Sequence, residues 1–242
     1  MYDRPEMAAV TNRYWAAIHD AFRARGIAAP QSLTRAGNLF DHWRAPDLVL
    51  SQTCGLPYRT SLFGVVSRIG TPDFGLPGCP PGYYRSVILV RKDQPAPPPE
   101  DWPSLRLAYN EDVSQSGWGS AYNHATALGT TFGPRIGTGS HRGTVRALVE
   151  GRADIGFVDT HTWRLIRRWD AMATDLEEIG FSEPTPGLPY ITAQHGDVPA
   201  MAEALQEVIG ALSNEDRAAL CIRSLVDIPD EAYRAVHNPP AP

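Results

Sequence analysis

The sequence predicts an α/β protein built as two lobes, and three observations carry that expectation. Between Leu105 and Trp169, short apolar runs alternate with amphipathic stretches, the pattern of parallel strands joined by helical crossovers. Two proline-rich stretches, Asp93–Pro103 and Glu183–Pro189, bracket that alternation, and such composition favours extended, non-helical backbone. At 242 residues the chain is near the upper end of what one hydrophobic core organises, so two modest lobes are as natural as one large domain. The expected path leaves one lobe, builds a second and returns. Residues 1–91 and 190–242 then form the first lobe and 92–189 the second, with a ligand cleft between the lobes.

The elements follow in order. A helix is predicted from Pro5 to Arg25, because Val10, Tyr14, Ile18 and Phe22 recur every four residues beside Trp15, and Gly26 follows as a stop. Asp47–Ser51 is a short apolar run that delivers the Gly-Pro loop Cys54–Pro57, and a strand pair is expected at Leu62–Ile69 and Tyr83–Arg91. The second lobe reads as strand Leu105–Tyr109, helix Ser116–Leu128, strand Arg135–Gly137, helix His141–Glu150, strand Asp154–Val158, helix Thr160–Trp169 and strand Leu176–Phe181. Tyr190–Ala193 is a further strand. Helices are expected at Val198–Leu212, at Asn214–Ile222 with Ser213 as N-cap, and near Glu231, with a frayed tail from His237.

Composition excludes several classes. Hydrophobic residues make up 43% and charged residues 20%, enough apolar material for a core. Lys and Arg number 22 against 27 Asp and Glu, a net charge of -5 without a dense basic run, so nucleic acid is not an expected partner. Arg164, Arg167 and Arg168 have the spacing of a solvated helix face. No apolar run reaches the roughly 20 residues that span a bilayer, so no membrane insertion is expected. Met1–Ala9 carries charges where a signal peptide needs an apolar core. If Met1 is the true start the protein is expected in the cytoplasm; otherwise a leader precedes it. Cys54, Cys79 and Cys221 are too scattered for a disulfide framework, and buried thiols are expected, with a Cys54–Cys79 bridge the alternative.

Three segments have the residue types for binding an anion. Asn110–Gly119 follows a strand and opens a helix with Ser114, Ser116 and Gly117, so hydroxyls, backbone N–H groups and the positive end of a helix dipole converge; the plainer reading is a serine N-cap. Gly137–Val145 repeats the plan with Ser140 and His141, where a ring nitrogen can donate and Arg142 or Thr144 can assist, or where a capped surface helix simply begins. At Asp154–Trp163 an apolar strand ends in Asp159, which either caps its own helix or accepts from a ligand hydroxyl or amine. Other chemistries lack their signatures. G-x-G-x-x-G is broken by Arg142, no P-loop or G-x-S-x-G elbow occurs, and His124, His141 and His161 lack metal-ligand spacing, so neither cofactor nor metal is expected.

In this order, S-x-S-G at a helix start, G-S-H at the next and V-D before a third, the chain resembles the phosphonate-binding family, the substrate-binding components of ABC importers for phosphate, phosphite and phosphonates. Gln52–Pro57 is similar to that family's Gly-Pro loop, and Tyr84–Arg91 to its strand entering the hinge. The resemblance implies a type II periplasmic-binding-protein fold, periplasmic placement, a monomer and an ABC transporter permease as partner. It further implies a hinge closure around a small oxyanion held by Ser114, Ser116, Gly117 and His141. Asp159 would face the ligand's other end, and Tyr2, on an opening strand with Asp3, Gln52 and Tyr58 would serve from the first lobe. Gln115 and Trp118 depart from the aminophosphonate-binding members, which have unbroken hydroxyls before the glycine and a tyrosine after it. The rival reading is an enzyme on the same scaffold with His141 as acid or base, and a third is a stand-alone sensor.

Overall fold

The computed structural model describes residues 2–242. Its strands in chain order are β1 (Ser51–Gln52), β2 (Val66–Asp73), β3 (Tyr83–Tyr84), β4 (Ser86–Arg91), β5 (Leu107–Tyr109), β6 (Arg135–Gly137), β7 (Ile155–Asp159), β8 (Leu176–Phe181), β9 (Thr185–Pro186), β10 (Tyr190–Ala193) and β11 (Ser224–Val226). The helices are α1 (Ala8–Ala24), α2 (Leu39–Trp43), α3 (Gly55–Pro57), α4 (Ser120–Ala127), α5 (His141–Val149), α6 (Thr160–Trp169), α7 (Val198–Ala211), α8 (Asn214–Leu220) and α9 (Asp230–Arg234). The chain divides into two compact units. The first comprises the described residues up to Pro77 with Pro186–Tyr233, and the second Gly78–Thr185 with Arg234–Pro242.

In the first unit, α1 buries Val10, Tyr14, Trp15, Ile18 and Phe22, the stripe its four-residue spacing calls for. That stripe packs on α7, whose Met201, Leu205 and Val208 are buried in turn. The sheet beside them runs β1-β10-β2-β11 with every pairing antiparallel. The apolar run before β1 is not laddered as a strand, although the Leu48 carbonyl still accepts from Ala193 N–H at 2.9 Å. The opening strand expected at Met1–Asp3 lies partly outside the described residues, and Tyr2 and Asp3 belong to no strand.

The second unit is organised by one sheet in the order β6-β5-β7-β4-β8. β5 runs parallel to β6 and β7, whereas β4 is antiparallel to β7 and β8, so the sheet is mixed rather than parallel throughout. Helices and turns cover both faces, which explains why β4 reads as an unbroken apolar run. Its alternate residues serve opposite cores: Val87 and Leu89 join Ala108, Val145, Leu148, Val158 and Ile166, while Ile88 and Val90 join Trp102, Leu107, Trp118 and Phe157.

The boundaries differ from the expected ones. Residues 78–91 belong to the second unit, because β4 is paired along its length with β7 and β8 instead of with β2. The first proline-rich stretch is not a crossing: Trp102 is buried in the second unit's core and its indole N–H donates to Pro97 O at 3.2 Å, holding the segment to that unit. The second proline-rich stretch contains the passage from Thr185 to Pro186, and residues 186–189 belong to the first unit. The tail from Arg234 onward belongs to the second unit rather than fraying, since Trp118 Nε1 donates to Pro240 O at 2.6 Å, Asn123 Nδ2 donates to His237 O at 3.1 Å, and Tyr122 stacks on His237. Leu89, fully buried between strands and helices, carries a direct test of this core. Replacing it with Ala is expected to lower unfolding stability by about 2–5 kcal/mol in a denaturant titration.

Candidate oxyanion-binding site

Because β6, β5 and β7 are neighbours running in one direction, their carboxyl ends lie along one edge of the sheet. Each is followed by a helix start on that edge. The β5–β6 pairing continues past both strands, with Thr138 N–H on Tyr109 O at 2.9 Å and Gly139 N–H on Asn110 O at 2.8 Å, so the two loops run side by side.

All three junction side chains act as caps. Ser114 Oγ accepts from Gly117 N–H at 3.1 Å, Ser140 Oγ from Gly143 N–H at 3.0 Å, and Asp159 Oδ1 from Thr162 N–H at 2.8 Å. The plain capping reading is therefore realised for each, and something more is built on it. Ser116 Oγ lies 2.8 Å from His141 Nε2 and 3.5 Å from Ser114 Oγ, joining two helix starts that are 25 positions apart in sequence. Ser114 and Ser116 are buried.

Local backbone makes this approach feasible. Gln115–Gly119 forms a wide π-helical turn, with Gly119 N–H reaching back to Ser114 O at 2.9 Å, before α4 begins. A side chain at Gly117 would set its Cβ 1.8 Å from Asn110 Oδ1, so glycine lets the turn close onto β5's exit loop. A Cβ at Gly143 would lie 2.5 Å from Thr138 O, so glycine there lets α5 start against its own loop. The N–H of Gly117, expected to face an anion, is held by Ser114.

Burial pushes the His141 ring down to about 4, partly offset by the nearby Phe157 backbone, although Nδ1 makes no well-formed hydrogen bond. The imidazole is thus neutral near pH 7, with one N–H to give. Two arginines close in sequence to His141 are engaged elsewhere: Arg142 turns to Asp170 at 2.7 and 3.0 Å, and Arg135 lies over the Trp118 ring. Thr144 bonds Thr138 at 2.9 Å.

Of the remaining expected residues, Asp159 belongs to the second unit and Tyr2, Gln52 and Tyr58 to the first. Asp159 is buried at the end of β7, opposite Ser86. In the first unit Tyr2 packs edge-on to Phe74, Gln52 Nε2 donates to Leu188 O at 3.0 Å, and the buried Tyr58 donates its hydroxyl to Asp230 Oδ1 at 2.8 Å. Sequence reasoning missed Ser86, Ser120 and Ser182, which meet directly beneath the π-turn. Ser86 reads only as the first residue of an apolar strand, so no local pattern marks it. Among the described residues no group of three His, Cys, Asp or Glu side chains could hold a metal, no cysteine is in a disulfide, Cys54 being buried as expected while Cys79 and Cys221 are only half-buried, and no helix is long and apolar enough to cross a membrane.

Residues 69–228 match the family model described as ABC transporter, phosphonate, periplasmic substrate-binding protein. The chain belongs to this family. Similar solved structures agree in fold. PhnD1 from Prochlorococcus marinus (MIT 9301), in complex with methylphosphonate, is 15% identical, with a TM-score of 0.74 over 97% of this chain and 92% of that one. The binding protein component of an ABC phosphonate transporter (PA3383) from Pseudomonas aeruginosa is 16% identical, with a TM-score of 0.67 over 96% and 80%. XAC2383 from Xanthomonas citri, bound to chloride ion, is 15% identical, with a TM-score of 0.67 over 96% and 92%. No curated protein sequence matches. This family member has the type II periplasmic-binding-protein fold and is a solute-binding protein of the ABC-import class.

His141 and His161, the latter pushed down to about 3 by burial and then by Arg164, make stability depend on pH. Each folded value lies below the ordinary 6.5, so the unfolded chain takes up protons first. Their contribution is complete above about pH 6.5 and is lost as pH falls through about 4 for His141 and about 3 for His161. In thermal unfolding across that range, His141→Gln is expected to decline less steeply than the unaltered protein.

Proposed function

We propose that this family member binds a small phosphorus oxyanion, phosphate or a phosphonate, through Ser114, Ser116 and His141 at the helix starts of its second unit. The observation that carries the reading is the 2.8 Å contact between Ser116 Oγ and His141 Nε2, two polar groups from separate helix N-termini meeting at one point. An arriving oxyanion replaces that internal bond with two charge-assisted ones, the serine O–H and the imidazole N–H each turning to an anionic oxygen. The positive ends of the α4 and α5 dipoles add to the attraction without a buried cation.

Methylphosphonate occupies the similar PhnD1, and it is the first ligand to try here. Trp118 stands where aminophosphonate-binding members have a tyrosine, and it is core, with its indole N–H bonded to Pro240. The reading rests on the second unit, and Tyr58, whose hydroxyl serves Asp230, is left out of the binding set. The partner is a membrane permease and the chain acts as a monomer.

The same serine–histidine contact invites an enzymatic reading, and its details argue against one. A base held at about 4 is a poor proton acceptor near neutrality, and Nδ1 has no well-formed hydrogen bond to orient the ring. We therefore assign binding without turnover.

Calorimetric titration with phosphate, phosphite, methylphosphonate, 2-aminoethylphosphonate, sulfate and small carboxylates tests the assignment. Binding of a phosphorus oxyanion is expected. Ser116→Ala and His141→Ala should each weaken it at least about tenfold, since hydrogen bonds to charged groups contribute roughly 1.5–3 kcal/mol. Both variants should remain folded by circular dichroism. Affinity unchanged in both would refute the assigned site.

A further inference from the structure

Beneath the π-turn, four hydroxyl-bearing residues of the second unit are connected. Ser86, the first residue of β4, places its Oγ 2.7 Å from the carbonyl oxygen of Ser116 and 3.0 Å from Ser120 Oγ. Ser120 Oγ lies 3.2 Å from Ser182 Oγ, which accepts from the Ser86 backbone N–H at 2.9 Å. Ser182 N–H returns to Ser86 O at 2.9 Å. Ser86 is fully buried, and Ser120 and Ser182 nearly so.

Proton counting orders this cluster. A carbonyl can only accept, so the Ser116 O bond takes the single Ser86 proton, and at 2.7 Å it is the shorter of the two contacts that hydroxyl makes as donor, the other being Ser120 Oγ at 3.0 Å. The Ser120 backbone N–H serves the Gln115 and Gly117 carbonyls, and the strand supplies a hydroxyl to the Ser116 carbonyl. Holding that carbonyl fixes the peptide from which the Ser116 side chain projects towards His141.

On the reading that Ser116 and His141 bind the oxyanion, we infer that Ser86 is a positioning residue for that site, orienting Ser116 through its carbonyl without touching the ligand. Ser182 belongs to the same cluster and bonds β4 and the Ser120 hydroxyl but not the Ser116 carbonyl, so it serves as the internal control. Removing either hydroxyl leaves a buried partner unsatisfied, and both changes should lower the melting temperature. Only Ser86→Ala should also loosen the turn.

The test compares Ser86→Ala, Ser182→Ala and the unaltered protein in two ways. Calorimetry with methylphosphonate and inorganic phosphate is expected to show about a tenfold loss of affinity for Ser86→Ala and little change for Ser182→Ala. Amide hydrogen exchange without ligand is expected to speed up at 116–121 in Ser86→Ala only. Equal loss of affinity in the two variants, or none in either, would overturn the inference. If the unaltered protein binds neither probe, the functional reading fails separately. The exchange comparison then decides alone: selective loosening of 116–121 supports Ser86 as the anchor, and equal exchange overturns it.

Discussion

Parallel pairing of β5 with both β6 and β7 is the constraint on which the candidate site depends. Parallel strands oblige each connection to return across the sheet, and the helices that make those returns all begin at the same edge. One-directional strands thereby gather several partial positive charges where no charged side chain is needed. The antiparallel strands β4 and β8 complete the sheet differently, and their meeting point at Ser86 and Ser182 underpins the first of those helix starts.

A site made from hydroxyls, a neutral imidazole and helix ends has a particular electrostatic character. An arginine would attract any anion from a distance and would be strongly favoured in water, whereas short-range neutral donors reward an anion only when its oxygens arrive in the right places. Arg142 stands at the first turn of α5, yet it is paired with Asp170. On the proposed reading, selectivity comes from geometry more than from charge.

Much of this was legible in the sequence because it is local. The glycine-and-serine junctions after β5 and β6, and the aspartate after β7, announce strand-to-helix transitions within a few residues, and α6, β6, β8 and β10 have their expected bounds. What escaped is non-local. The run from Ser86 to Arg91 looks the same whether β2 or β7 is its neighbour, so its unit could not be read from its composition. Trp102 drew a proline-rich stretch into a core that its prolines did not suggest. The α2 helix, short and capped by Asn38, gave too few turns to show a period, and the serine cluster joins residues nearly a hundred positions apart.

The docked tail has a consequence for the order in which the molecule is made. The second unit is encoded mostly in the middle of the chain, yet Trp118 finds its carbonyl partner only at Pro240. During vectorial synthesis on the ribosome, the helix that follows the π-turn therefore waits, with a large indole still lacking its acceptor, until Pro240 has emerged from the exit tunnel. A solute-binding protein assembled this way completes its second unit only after all of its first unit has been synthesised.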